Sequence, residues 1–197
     1  MTNPTQHTPV FWREGTLVNL GPLTKEHLPL NQTWINDPRV NQFLIVSWPL
    51  TMEAEEAWYE QIAKDPQNNI QVLIYARDTG EPIGTMDLRI NTLNQVGSTG
   101  ALIGDPAYHG RGYGTEAKML LLEYAFNWRG LHSVTSRVLA CNGRSARYNE
   151  RCGYREVGRL TGVHIRDGER CDEIIMQVMA DEWRTTWEEY KKAREVS

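Results

Sequence analysis

The 197-residue chain is poor in cysteine. It has three, Cys141, Cys152 and Cys171. An odd number without metal-ligand spacing argues against a disulfide framework or a structural zinc site, and for reduced thiols in a cytoplasmic protein. The plainer role for each is a small buried hydrophobe. Long apolar runs are also missing: none approaches the roughly 18 residues needed to span a bilayer. Residues Met1 to Pro9 lack the basic region and apolar core of a secretory signal. Positive charge is not in excess either. Twenty-one Lys and Arg against 25 Asp and Glu leave a net charge of −4. That argues against a generic nucleic-acid partner, which needs a basic face, and suits a cationic one. The sequence has no internal repeats and no clear interdomain linker.

What is present fits one globular domain. The hydrophobic fraction is 40% and the charged fraction 23%, as expected of a folded chain of this length. We expect a disordered tail over 1–14, a single domain over 15–184 and a helical extension over 185–197. The apolar patterns predict a strand over 15–23, with Thr16, Val18 and Leu20 on one face. Two helical pieces over 25–43 should break at Asp37-Pro38. A helix over 52–64 should be capped by Thr51 and bury Ala54, Trp58 and Ile62. The acidic run Glu53, Glu55, Glu56, Glu60 and Asp65 reads as that helix's solvated face. Strands over 70–76 and 82–90 make a hairpin around Asp78-Thr79-Gly80, and a strand over 98–104 follows. After it come a helix over 113–128, a strand over 134–139 and a helix from Asn142 to Cys152 stopped by Gly153. A hairpin around Asp167-Gly168 and a helix over 181–194, where Trp183 and Trp187 lie four apart, complete the chain. The helix over 113–128 should bury Ala117, Leu120, Leu121, Tyr124 and Ala125. The order gives a mixed α/β sheet with helices on both faces.

One segment carries chemistry. His109-Gly110-Arg111-Gly112-Tyr113-Gly114-Thr115 joins a strand to a helix N-terminus. Glycines let the backbone approach an anion, and the first helical turn offers free N–H groups and partial positive charge. The segment therefore suits a phosphate or pyrophosphate. The spacing of a nucleoside triphosphate P-loop is absent. Gly112-x-Gly114-x-x-Ala117 would pass as a dinucleotide fingerprint, but the loop lies mid-chain and no acidic residue follows at the expected distance. A plain glycine-rich surface turn is the remaining alternative.

The segment resembles the acyl-CoA loop of the GNAT superfamily of N-acetyltransferases, Gln/Arg-x-x-Gly-x-Gly/Ala, read here as His109-x-x-Gly112-x-Gly114. Asn142-x-x-Ser145 followed by Glu150-Arg151-Cys152-Gly153-Tyr154 is similar to the family's second motif. Trp34-Ile35-Asn36-Asp37-Pro38, Pro49-Leu50-Thr51, Asp172-Glu173-Ile174-Ile175-Met176 and Glu182-Trp183 resemble its ribosomal-protein and polyamine acetyltransferase (RimJ/RimL-like) branch. The resemblance spans about residues 15 to 184. It implies a central, mostly antiparallel twisted sheet of about seven strands. It also implies acetyl-CoA as cosubstrate, no metal, and transfer to a primary amine: a protein N-terminus, a polyamine or another small amine. Assembly is expected as a monomer or homodimer.

By the same resemblance, the backbone of Leu102, Ile103 and Gly104 faces the pantetheine arm. The amides of His109, Gly110, Arg111, Gly112, Tyr113, Gly114 and Thr115 hold the pyrophosphate. Asn142 and Ser145 flank the arm, although Asn142 also reads as a helix cap. Two positions depart from the pattern. Many relatives have a tyrosine where Asn149 stands, acting as acid to the leaving thiolate. Asn149 is the catalytic candidate here, able to donate a hydrogen bond to the sulfur but no acidic proton. Tyr148, one residue earlier and about 100° round the helix, should not substitute without a register change. Relatives often carry a glutamate where Thr99 stands. Asp87, His164, Glu173 or a water relay remain as bases. Trp34, Trp48 and Tyr59 are candidates for an aromatic acceptor wall, with core packing as the competing role. An alternative to catalysis is an acyl-CoA-binding sensor or scaffold of the same fold.

Overall fold

A computed structural model describes residues 10–45 and 48–195. Among the described residues eight strands form one open sheet: β1 (Arg13–Glu14), β2 (Val18–Pro22), β3 (Asn69–Ala76), β4 (Pro82–Asn91), β5 (Val96–Ile103), β6 (Ser133–Leu139), β7 (Arg155–Arg166) and β8 (Glu169–Met179). Their spatial order is β1-β2-β3-β4-β5-β6-β8-β7. Among the described residues only the β5–β6 pair is parallel; the other pairs are antiparallel. The strand beyond the expected seven is β1, two residues that pair with Leu20 and Asn19. The tail expected over 1–14 falls partly on it; residues 1–9 lie outside the described residues.

The helices are α1 (Leu28–Asn36), α2 (Pro38–Asn41), α3 (Met52–Ile62), α4 (Tyr113–Glu123), α5 (Gly143–Arg151) and α6 (Ala180–Glu195). Local chemistry sets their ends. Asp37 caps α2 by accepting from the Arg39 amide at 2.9 Å, and Pro38 opens it, so the break falls where the proline demands. Thr51 caps α3 through the Ala54 amide. Asn142 caps α5 through the Ser145 amide at 3.1 Å. Gly153, at φ 90°, ends that helix in a backbone shape that disfavours any side chain.

Strand β3 is buried on both faces. Val72, Ile74 and Ala76 enter the main core, which α4 lines with Ala117, Met119, Leu121 and Leu122. Leu73 and Tyr75 enter a second cluster with Leu23 and Trp34 of α1. The face expected of α3 is corrected. Ala54 is exposed and Trp58 is 37% exposed, while Glu55 is buried and Tyr59 packs on the second cluster. The acidic run is therefore not wholly solvated: the Glu55 carboxylate accepts from Asn31 Nδ2 at 2.6 Å. On α4, Leu120 is only half-buried, as is Tyr124 in the π-helical turn that follows over Tyr124–Trp128; Tyr113, Glu116, Lys118 and Met119 are buried as well.

The last helix starts before the boundary expected at residue 185 and docks along its length. Trp183 is fully buried, and Trp187 and Tyr190 stack in series beside it. The buried Glu116 ties this helix to the sheet. Its carboxylate accepts from the Thr16, Leu17 and Val18 amides, the Thr16 hydroxyl and the Tyr190 hydroxyl, and pairs with Arg194 at 3.1 Å. No helix of the described residues is long and apolar enough to cross a membrane.

Candidate active site

The site exists because two strands part. The β5–β6 pairing runs only from Val96–Ser133 to Ser98–Thr135. Beyond it, Gly100 to Ile103 and Ser136 to Leu139 line opposite walls of a cavity of about 420 Å³. On its other side β5 remains paired with β4 as far as Ile103. The strand therefore presents one row of backbone groups to the cleft, as an edge strand does.

The cleft leads to the glycine loop. Gly110 and Gly112 adopt φ of 73° and 92°, where a side chain would be strained. Gly112 is the N-cap of α4 and no side chain caps the helix, so its first amides stay free for an anion. His109, which replaces the usual Gln or Arg, fastens the loop. Its Nε2 lies 2.9 Å from the Ile103 carbonyl and its Nδ1 lies 3.0 Å from an Arg144 amino group. The network fits Nε2–H donating to Ile103 while Nδ1 accepts from Arg144.

Of the residues expected around the cofactor, Leu102, Ile103, His109, Gly110, Gly112, Gly114, Thr115, Asn142 and Ser145 line the cavity. Gly104, Arg111 and Tyr113 do not. Gly104 packs on the Trp34 ring. Arg111 is exposed over Tyr113, whose hydroxyl donates to Asp78. Of the three aromatic candidates for an acceptor wall, two take the competing role of core packing. Trp34 belongs to the second cluster, Tyr59 packs against that cluster, and Trp48 is 61% exposed away from the cavity. Ile35, Phe43 and Trp58 line the cavity instead. A stretch of tryptophans does not reveal which face of a short helix each will take.

Asn149 and Tyr148 both line the cavity. Asn149 is buried and spends its amide on the Ser145 carbonyl, at 2.9 Å within its own helix. The Tyr148 hydroxyl is buried and has no hydrogen-bond partner among the described residues. Burial raises its pKa well above the usual value, so it keeps its proton. Helical offset alone suggested that Tyr148 could not stand in for the missing tyrosine. Its ring passes 3.7 Å from where a Cβ on Gly114 would lie, at the glycine-loop end of the cleft.

The floor carries charge. Asp87 reaches across Gly100, where a Cβ would fall 2.4 Å from its Oδ1, and Arg89 holds its other oxygen at 3.1 Å. Burial raises the Asp87 pKa, opposed by Arg89 and Lys118. Lys118 is 1% exposed and lines the cavity. Its Nζ donates to Thr99 Oγ1 at 2.7 Å. Burial pushes its pKa down to about 8, against the nearby Cys152 and Asp87. Sequence reasoning missed this residue. The signal was a lysine four residues after Gly114 and three before Leu121, on the buried stripe of α4. His164 and Glu173 bond to each other at 2.7 Å, and Glu173 also pairs with Arg137 at 2.8 Å. Arg137 alone of these three borders the cavity. No cluster of three or more metal-ligating side chains occurs among the described residues.

A parted parallel pair, a glycine loop and an uncapped helix make a cleft suited to a ligand with an extended arm and an anionic end. Residues 18–155 match the family described as the acetyltransferase (GNAT) domain. The chain belongs to this family and is an N-acetyltransferase. It is 28% identical over 155 residues to human alpha/beta-tubulin-N-acetyltransferase 9, covering 73% of this chain and 74% of that one. It is 29% identical over 79 residues to the uncharacterized N-acetyltransferase YnaD of Bacillus subtilis, covering 40% of this chain and 46% of that one. Among solved structures, the Vibrio cholerae spermidine N-acetyltransferase in complex with CoA and spermine shares the fold. Its TM-score is 0.78 at 18% identity, over 86% of this chain and 99% of that one.

Proposed function

We propose that this enzyme transfers acetyl from acetyl-CoA to a primary amine by direct attack, within the polyamine and protein-N-terminus branch of the family. The observation that carries this reading is the parting of β5 from β6 on the way to the uncapped N-terminus of α4. The free edge of Leu102 and Ile103 would pair with the pantetheine arm. The amides of the 109–115 loop would hold the pyrophosphate, with Asn142 and Ser145 on the opposite wall.

The thioester supplies the acyl group. The neutral amine forms the new C–N bond as the C–S bond breaks. Holding both partners in one cleft supplies much of the rate. In this reading the Tyr148 hydroxyl, rather than Asn149, delivers a proton to the departing thiolate. Asp87 draws in a cationic acceptor, and the aromatic side chains of Phe43 and Trp58 enclose it. The relatives named for tubulin and spermidine are compatible with an amine on a peptide-like or cationic molecule.

The test is thiol release from acetyl-CoA against a panel of polyamines, peptides with free N-termini and lysine-bearing peptides. Turnover with one class identifies the acceptor. Tight CoA binding without turnover on any amine would instead favour the sensor or scaffold reading.

A further inference from the structure

We infer that Lys118, in its neutral form, takes the proton from the acceptor amine, in place of the carboxylate that relatives often carry at the position of Thr99. The inference rests on the reading of the chain as an amine acetyltransferase.

Three observations support it. First, Lys118 is 1% exposed, yet it borders the same cavity as Asp87 and Gly100. Second, its Nζ lies 2.7 Å from Thr99 Oγ1, so an amine sits beside the place where a carboxylate base is usual. Third, its surroundings hold an ammonium only weakly, through the Tyr148 and Tyr154 ring faces 5.4 and 5.3 Å from Nζ and the charge of Asp87. An ammonium has three N–H donors and no lone pair; among the described residues Nζ has one hydrogen-bond acceptor and no carboxylate within ion-pair distance. The groups facing it are Asp87 of β4, Tyr148 of α5, and Cys152 and Tyr154 just beyond that helix. Of these only Asp87 is an acid of ordinary strength. A neutral Lys118 adds no positive charge to the floor, where Asp87 is already paired with Arg89, and so does not repel an ammonium acceptor.

The step balances. The acceptor ammonium gives a proton to the Lys118 Nζ lone pair. The resulting amine attacks, the C–N bond forms and the thiolate leaves. The adduct loses a second proton to the thiolate by way of Tyr148, and Lys118 returns its own proton to solvent. The products are the amide, CoA thiol and one proton.

The experiment compares the enzyme with Lys118→Met, which keeps length and removes the amine. For an alkylamine acceptor of pKa near 10, kcat/KM of the unaltered enzyme should rise with pH and level off near 8. In Lys118→Met it should fall at least 100-fold at pH 7 and keep climbing towards pH 10, with CoA affinity by calorimetry unchanged. An unchanged profile with less than a threefold loss overturns the inference and leaves the acetyltransferase reading intact. A readout independent of turnover is NMR titration of the five lysines, with the Lys118 signal assigned by its loss in the variant. A titration near 8 supports the neutral base; one above 10 overturns it. Absence of turnover on every amine would count against the acetyltransferase reading and so against the base.

Discussion

Gly104 lies flat against the indole of Trp34: a Cβ on the glycine would fall 2.0 Å from Trp34 Cγ. Trp34 is 7% exposed and cannot swing clear, so Gly104→Ala should cost about 1–3 kcal/mol, as overpacking does. Thermal denaturation should show a midpoint lower by roughly 2–12 °C. Shrinking the partner as well, in Gly104→Ala with Trp34→Leu, should recover part of that loss relative to Trp34→Leu alone. Strict additivity would refute the contact as its cause.

Gly114 separates folding from anion binding. A Cβ there meets only ordinary contacts, 3.6 Å from Ile103 and 3.7 Å from Tyr148. Gly114→Asp adds a carboxylate in the first turn of α4, where the helix dipole favours it. The melting midpoint should stay within about 3 °C. CoA affinity should fall at least 30-fold if the pyrophosphate sits on this turn; calorimetry giving equal affinities would remove the phosphate assignment.

Tyr148→Phe deletes a buried hydroxyl that has no partner among the described residues. Stability should hold or rise by up to about 1 kcal/mol, because no hydrogen bond is lost. If the hydroxyl protonates the thiolate, kcat should fall 10- to 100-fold, within the range of general acid catalysis. Asn149→Ala should cost tenfold or less. A larger loss for Asn149 than for Tyr148 would reverse the roles.

Lys118 also makes stability depend on pH. Its pKa falls from 10.5 to about 8 on folding, so between these values the unfolded chain binds more protons. Its contribution is therefore lost as pH drops from 10.5 to 8 and changes no further below that. The shift is worth on the order of 3 kcal/mol. Cys152, raised to about 12 by burial, acts oppositely above its ordinary value of 9. The difference between Lys118→Met and the unaltered enzyme cancels that effect. Urea unfolding should find the variant more stable at pH 7, with the gap closing towards pH 10.5. A constant gap would contradict the buried-amine assignment.

Glu116→Ala leaves the Thr16, Leu17 and Val18 amides without their shared acceptor. We expect a loss of about 3–5 kcal/mol, the scale for breaking a buried charged network. The midpoint should drop by roughly 6–20 °C. Glu116→Gln, which keeps one acceptor oxygen, should lose less; equal losses would mean that size rather than hydrogen bonding matters.

The parts of the fold written in local chemistry were legible in the sequence. Pro38, Thr51, Asn142, Gly153 and Asp167-Gly168 each mark an element end by a rule that needs no tertiary context. The glycine loop could be read for the same reason. What escaped depends on partners distant in sequence. Glu55 looked like one charge of a solvated run until Asn31, 24 positions away, reached it. Lys118 became part of the floor only because Thr99, 19 positions earlier, meets it. Trp34 and Trp48 could not be sorted from Trp58, since which of them faces the cavity is set by how α1 and α3 lie on the sheet. The two-residue β1 is too short for any periodicity to register.

The carboxylate of Glu116 is met by Thr16 and by Arg194, which are themselves hydrogen-bonded across 178 positions. During synthesis the earlier of these residues leaves the ribosome long before the later one. The first full-length strand can find its place on the sheet, but its clasp stays incomplete until α6 has emerged. Because Glu116 stands in the first turn of α4, the end of the cleft proposed to hold the anion gains its full set of supports only once α6 has docked.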